Sequence, residues 1–170
     1  MKPRTILILS VTLAAAGAAV GGWLAVSRKL PAPPTVMSTW DPNDPDLGRK
    51  AYTMCQACHG ITGQGVPGYA PPLAGSPWLS GDPRGAVLIT LHGYDATMEP
   101  GAAYVSGRMP GHAGQLADHE IAGLLSWARQ QWAAASAPVT ADLVTALRSR
   151  FSDRATPWSP AELRAILKQP

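Results

Sequence analysis

Cys55 and Cys58 are the chain's two cysteines, and His59 follows the second directly in the run MCQACHG, residues 54–60. On one helical turn these positions stand at i, i+3 and i+4, so the three side chains share a face. A redox-active dithiol would need a βαβ setting around the pair. A zinc clasp would need two more ligands at finger spacing. Neither is present. The pattern C-x-x-C-H is instead that of c-type haem attachment, in which two thioethers hold the macrocycle and the imidazole ligates its iron from the same side. The motif therefore predicts one covalent haem c on Cys55, Cys58 and His59.

Such a motif needs elements to hold it. Asp46 is placed to cap a short helix, LGRKAYTMC, that leads into the cysteines. In GDPRGAVLITLHG, Asp82 is the N-cap, Pro83 the first helical residue and Gly93 the stop. The run DHEIAGLLSWARQQW sets Ile121, Leu124, Leu125, Ala128 and Trp132 on one apolar face. Thr140 caps ADLVTALRSRF, with Leu143, Val144 and Leu147 facing inward. Ser159 and Glu162 form a capping box that opens AELRAILK. No strand and no internal repeat is recognisable, so the fold class is all-α with long loops. Segments 60–81 and 94–117 are too long to stand without support. With one Phe and four Tyr as large filler besides Trp, a bulky apolar prosthetic group is expected at the centre of the core.

The remaining chain reads as appendages. Residues 5–26, TILILSVTLAAAGAAVGGWLAV, carry no charge and would span about 33 Å as a helix, roughly one hydrocarbon core. A cleavable signal with a site at Ala14, Ala15 and Ala16 is the rival. The apolar run continues through Trp23 to Val26, beyond the usual h-region of about 7–15 residues, which favours a retained anchor. Lys2, Arg4, Arg28 and Lys29 flank this run on both sides, so charge does not orient it. Haem attachment of this kind takes place outside the cytoplasm, which puts the N-terminus in and the domain out. Residues 31–45 are a Pro-rich, extended spacer, with Trp40 either packed on the domain or held near the lipid interface. The formal charge of +3 belongs to the N-terminus, because residues 31–170 hold 10 Lys/Arg against 11 Asp/Glu. No basic groove with interleaved aromatics supports nucleic-acid binding.

The motifs GRKAYTMCQACHGITGQGVPGYAPPLAGSPWL, LHG and RMPGHAGQLADHEIAGLLSWAR resemble the class I mono-haem cytochromes c, in particular small membrane-anchored bacterial ones. The resemblance covers residues 46–135, and a weaker one runs through the two tail helices. It implies a class I cytochrome c fold, with an anchor at 1–30, a linker at 31–45, the haem domain at 46–135 and a helical extension at 136–170. It also implies that Met109 of RMPG is the sixth iron ligand and that the Pro71 carbonyl accepts the other N–H of His59. Gly48 and Tyr52 should lie where the first helix crosses the Trp127 helix. Met98 is the alternative sulfur ligand, and His112 and His119 are the alternatives for a bis-histidine site. His92, at a helix end, is expected to partner the helix C-terminus. Leu73 and Trp78 are expected to line the pocket, Trp78 either reaching a propionate or simply packing. Arg108 either serves a propionate or is a solvated rim charge.

A haem with both axial positions filled by protein passes single electrons through its exposed edge. No phosphate loop, Ser/His/Asp set or carboxylate pair at useful spacing accompanies it. The expected function is a tethered one-electron carrier on the outer face of the cytoplasmic membrane, between a dehydrogenase or quinol-oxidising complex and a terminal oxidase or reductase. The competing reading is a haem enzyme or gas sensor with an open sixth position.

Overall fold

The computed structural model describes residues 40–98, 107–133 and 137–169. The anchor segment and all of the spacer before Trp40 lie outside these residues. Among the described residues no helix is long and apolar enough to cross a membrane. Trp40 packs against the core of the domain, and its carbonyl lies 3.4 Å from the His119 ring.

Helix α1 (Leu47–Tyr52) crosses α5 (Asp118–Trp132) where Gly48 of one faces Gly123 and the Trp127 Cβ of the other. A Cβ built on Gly48 would stand 2.3 Å from the Trp127 Cβ and 2.5 Å from the Gly123 carbonyl oxygen. Glycine at 48 is thus a condition of the crossing. Tyr52 leaves the crossing to pack at 5.1 Å from the Trp127 ring and 4.9 Å from that of Trp132. The helix was expected to run through to the cysteines. It stops at Tyr52, and a turn over Thr53–Cys55 precedes a separate turn, α2 (Gln56–His59). Asp46 does not cap α1 through its side chain. Its carboxylate pairs with Arg49, while that of Asp44 accepts from the Asp46 N–H.

The short helix α3 (Pro77–Ser80) within the loop was not foreseen. Helix α4 (Pro83–His92) follows as expected, with the Asp82 carboxylate accepting from the Arg84 N–H at 2.9 Å. Gly93 stops it at φ +86°, a left-handed conformation natural to glycine. The expectation of no strands is corrected here. Gly93–Asp95 (β1) pairs antiparallel with Arg108–Pro110 (β2), so Tyr94 stands opposite Met109. A 3₁₀ turn over Ala96–Met98 leaves β1.

The tail joins the same core. The Thr140 hydroxyl accepts from the Leu143 N–H at the start of α6 (Ala141–Arg150). Ser159 and Glu162 close their capping box on α7 (Pro160–Leu167). Val144, Leu147, Trp158 and Leu163 are buried with Leu88, Leu91 and Ile121. Arg148 clamps α6 onto the start of α5, pairing with Asp118 at 2.6 Å and donating to the carbonyls of Ala113 and Leu116.

His92 does not act as a charge partner for the end of α4. Its ring lies beside those of Phe151 and Trp158, and its Nε2 is buried with no hydrogen-bond partner among the described residues. Burial above all pushes its pKa below the ordinary value; the charges of Arg154 and Arg148 act in the same sense, and a contact with the Arg154 backbone opposes them. A base with a depressed folded-state pKa takes up its proton more readily when unfolded, so its contribution is complete above about pH 6.5 and is lost as pH falls below it. Denaturant midpoints of the haem-loaded protein should therefore drop between about pH 7 and pH 5, ahead of the carboxylates. A His92→Phe variant should show a shallower drop over the same window; an unchanged slope would show that His92 is not the group responsible.

Candidate haem site

Helices α1 to α5 and both strands meet at one cleft, whose lining includes no residue of α6 or α7. It encloses about 1370 Å³ free of protein atoms, part of it open to solvent, and its lining is mainly apolar. Cys55, Cys58 and His59 form one wall. Ala86 and Ile89 of α4 and Leu124 and Ala128 of α5 form the floor. Pro71, Leu73, Trp78 and Met109 all line the cleft, so it gathers the whole set expected from the sequence.

The helical turn that carries the motif is closed by the His59 N–H on the Cys55 carbonyl at 2.9 Å. The His59 Nδ1 lies 3.0 Å from the Pro71 carbonyl oxygen. A carbonyl only accepts, so Nδ1 carries the proton and Nε2 keeps the lone pair, the tautomer an iron ligand needs. Burial lowers the His59 pKa, with the Pro71 contact opposing, and the imidazole is held neutral. The cysteines are free thiols rather than a disulfide. Burial pushes Cys55 up to about 11, the opposite of an activated thioredoxin-type cysteine. An apolar cleft with two thiols and one oriented, neutral imidazole on the same wall fits a covalently held haem.

The loop that supplies Pro71 is pinned from both sides. The Leu73 N–H bonds the Gly63 carbonyl at 2.8 Å, and the Tyr52 hydroxyl donates to the Gly60 carbonyl at 2.5 Å. On the other wall, Trp78 packs edge-on to Tyr94 at 5.5 Å, and the Arg164 guanidinium of α7 lies 5.3 Å from the Trp78 ring centre. The buried Arg129 of α5 donates to the carbonyls of Leu79 and Gly81, fixing the turn that presents Trp78.

Of the alternative ligands, Met98 is 61% exposed and lies outside the cleft, as does His119. His112 does line it. Arg108 lines the cleft with its side chain 74% exposed, a solvated charge at the rim, and its guanidinium pairs with Asp95 at 2.9 Å across the β1–β2 ladder. Tyr94, Tyr69 and Met54 also line the cleft without having been singled out from the sequence. Tyr94 owes its place to the unforeseen β1. Tyr69 and Met54 flank recognised motifs, and their nearness to Cys58 was the available signal.

The family model described as Cytochrome c matches residues 45–132. Cytochrome c-552 of Thermus thermophilus is 35% identical over 112 residues, spanning 61% of this chain and 85% of the relative. Cytochrome c-552 of a named strain of the same organism, Thermus thermophilus ATCC 27634, has the same identity over the same length, covering 75% of that protein. These alignments take in more of the chain than the family segment does.

Proposed function

Since the chain belongs to the cytochrome c family, with one covalent haem c as its cofactor, we propose that it is a one-electron carrier tethered to the outer face of the cytoplasmic membrane. Cys55 and Cys58 hold the haem, His59 is its proximal ligand and Met109 its sixth. The group supplies a reversible one-electron couple, and His/Met ligation raises its potential. Every other task falls to the chain. Pro71 fixes the tautomer and plane of the His59 ring, while Leu73, Ile89 and Leu124 exclude water.

The observation that carries this reading is the His59–Pro71 hydrogen bond in a cleft that also presents Met109. The test is the oxidised protein's optical spectrum. A low-spin iron with the weak far-red methionine band is expected, and a high-spin iron with fast CO binding would replace the carrier by an open-iron enzyme or sensor.

The tether is the uncharged run at residues 5–26, and the partners are a dehydrogenase or quinol-oxidising complex on one side and a terminal oxidase or reductase on the other. Pull-down from mildly solubilised membranes names them. The docking face is read as apolar rather than charged. Met54 and Tyr69 both line the cleft and stand 40% and 49% exposed, and residues 46–135 carry five Lys/Arg against six Asp/Glu. Electron exchange with the partner should therefore depend weakly on ionic strength. A steep fall with salt would point to a charged docking face.

A further inference from the structure

The cleft holds a second donor beside Met109. Of the histidines described, His59 and His112 line it, whereas His119 and His92 do not. Resting on the reading of Met109 as the sixth ligand, we propose that His112 is a reserve iron ligand of this site, which takes the sixth position whenever the Met109 sulfur leaves it.

The main chain holds the two donors to one corner. Met109 lies on β2 opposite Tyr94 of β1. Three residues on, the His112 N–H bonds the Thr90 carbonyl at 2.8 Å, in the last turn of α4, and the Ala113 N–H bonds that of Leu91 at 3.2 Å. The segment between them is thus tied at both ends to the stretch that runs from α4 into β1. A shift along this short segment, rather than unfolding of a loop, separates one donor from the other.

The ring is also in the form that binds metal. Its Nδ1 lies 2.7 Å from the Gln115 Oε1, an acceptor. With Nδ1 engaged by the Gln115 amide, Nε2 is the ring nitrogen left for a metal, as it is in His59. Gln115 is in turn held by a bond from its N–H to the His112 carbonyl at 2.9 Å. His112 is half-buried, and among the described residues no carboxylate pairs with its ring. The consequence is functional. A site with a reserve imidazole stays six-coordinate after losing its sulfur, so it remains a carrier instead of becoming an iron open to peroxide or CO.

The test uses the full-length, haem-loaded protein and four variants: Met109→Ala, the volume-conserving Met109→Leu, His112→Ala, and the double variant Met109→Ala/His112→Ala. Spin state is read by electron paramagnetic resonance and optical spectra, and access to the iron by CO binding to the reduced protein. Both Met109 variants should lose the far-red band yet stay low-spin and take up little CO. The double variant should turn high-spin, bind CO readily and return to low spin on addition of free imidazole, which separates a lost ligand from a damaged fold. Met109→Ala and Met109→Leu turning high-spin like the double variant would overturn the reserve role, as would a double variant that stays low-spin. His112→Ala alone should keep the far-red band. If it turns high-spin, or if the unaltered protein lacks the band, the assignment of Met109 itself has failed, and that result is distinct from failure of the reserve role.

Discussion

Replacing His59 with alanine is expected to remove the proximal imidazole while the haem stays attached, because Cys55 and Cys58 are untouched. The reduced protein should lose the sharp low-spin spectrum, and its potential should shift. Stability should fall as well. The Pro71 carbonyl would lose its donor, which costs about 1–3 kcal/mol if it remains out of water, and a buried ring would leave a gap between the motif and the loop at residues 60–74. The informative comparison is Pro71→Ala. That change keeps a backbone carbonyl at 71 and alters only the stiffness of the loop, so its spectrum should stay close to that of the unaltered protein. Equal spectral damage in both variants would mean that the carbonyl alone does not orient the ring and that the stiffness of the loop at residue 71 is needed as well. Haem retention on a denaturing gel, visible spectra and redox titration are the measurements.

The second large effect is purely steric. Gly48→Ala adds one carbon 2.3 Å from the Trp127 Cβ and 2.5 Å from the backbone oxygen of Gly123. Neither neighbour is the free end of a flexible side chain, so α1 and α5 must move apart. Overpacking of this kind costs about 1–3 kcal/mol, sometimes more, which corresponds to a loss of several degrees in Tm. Gly48→Val should prevent folding of the haem-loaded domain. The damage should also reach the site, since Tyr52 and the turn into Cys55 follow directly from α1. Gly114→Ala is the control: apart from its chain neighbours, no atom of the described residues lies within 4 Å of its added Cβ, and its thermal melt should be unchanged. A Gly48→Ala melt that matches the control would mean that the crossing tolerates a wider separation.

What was legible in the sequence was local chemistry. Asp82, Thr140 and Ser159 cap their helices with the donors expected of them, because a cap depends on neighbours two or three residues away. The haem motif was legible for the same reason. The pair of strands was not. Three residues each, separated by the 12 positions 96–107, they show no alternation to read, and only their pairing defines them. The ion pair of Arg108 was not legible, because its partner, Asp95, comes near only once that pairing exists. His92 ends a helix, which suggests a charge role, but residues more than 50 positions later bury it. The periodicity of α4 and α5 identified their apolar faces, yet could not say which residues face the cleft and which face another helix.

Trp158 adds a consequence in time. Its N–H bonds the Gly93 carbonyl at 3.0 Å, and its own carbonyl accepts from the Asp95 N–H at 2.9 Å, so it runs beside β1 in parallel as a further rung. The strand opposite Met109 is thus finished by a residue that is synthesised long after His59. At about 5–20 residues per second, an interval of roughly 5–20 s separates the two. During that interval Cys55 and Cys58 belong to a chain whose far wall has not closed. Attachment on the nascent chain would meet open thiols, and the last rung, arriving later, would then seal a wall around a group already in place.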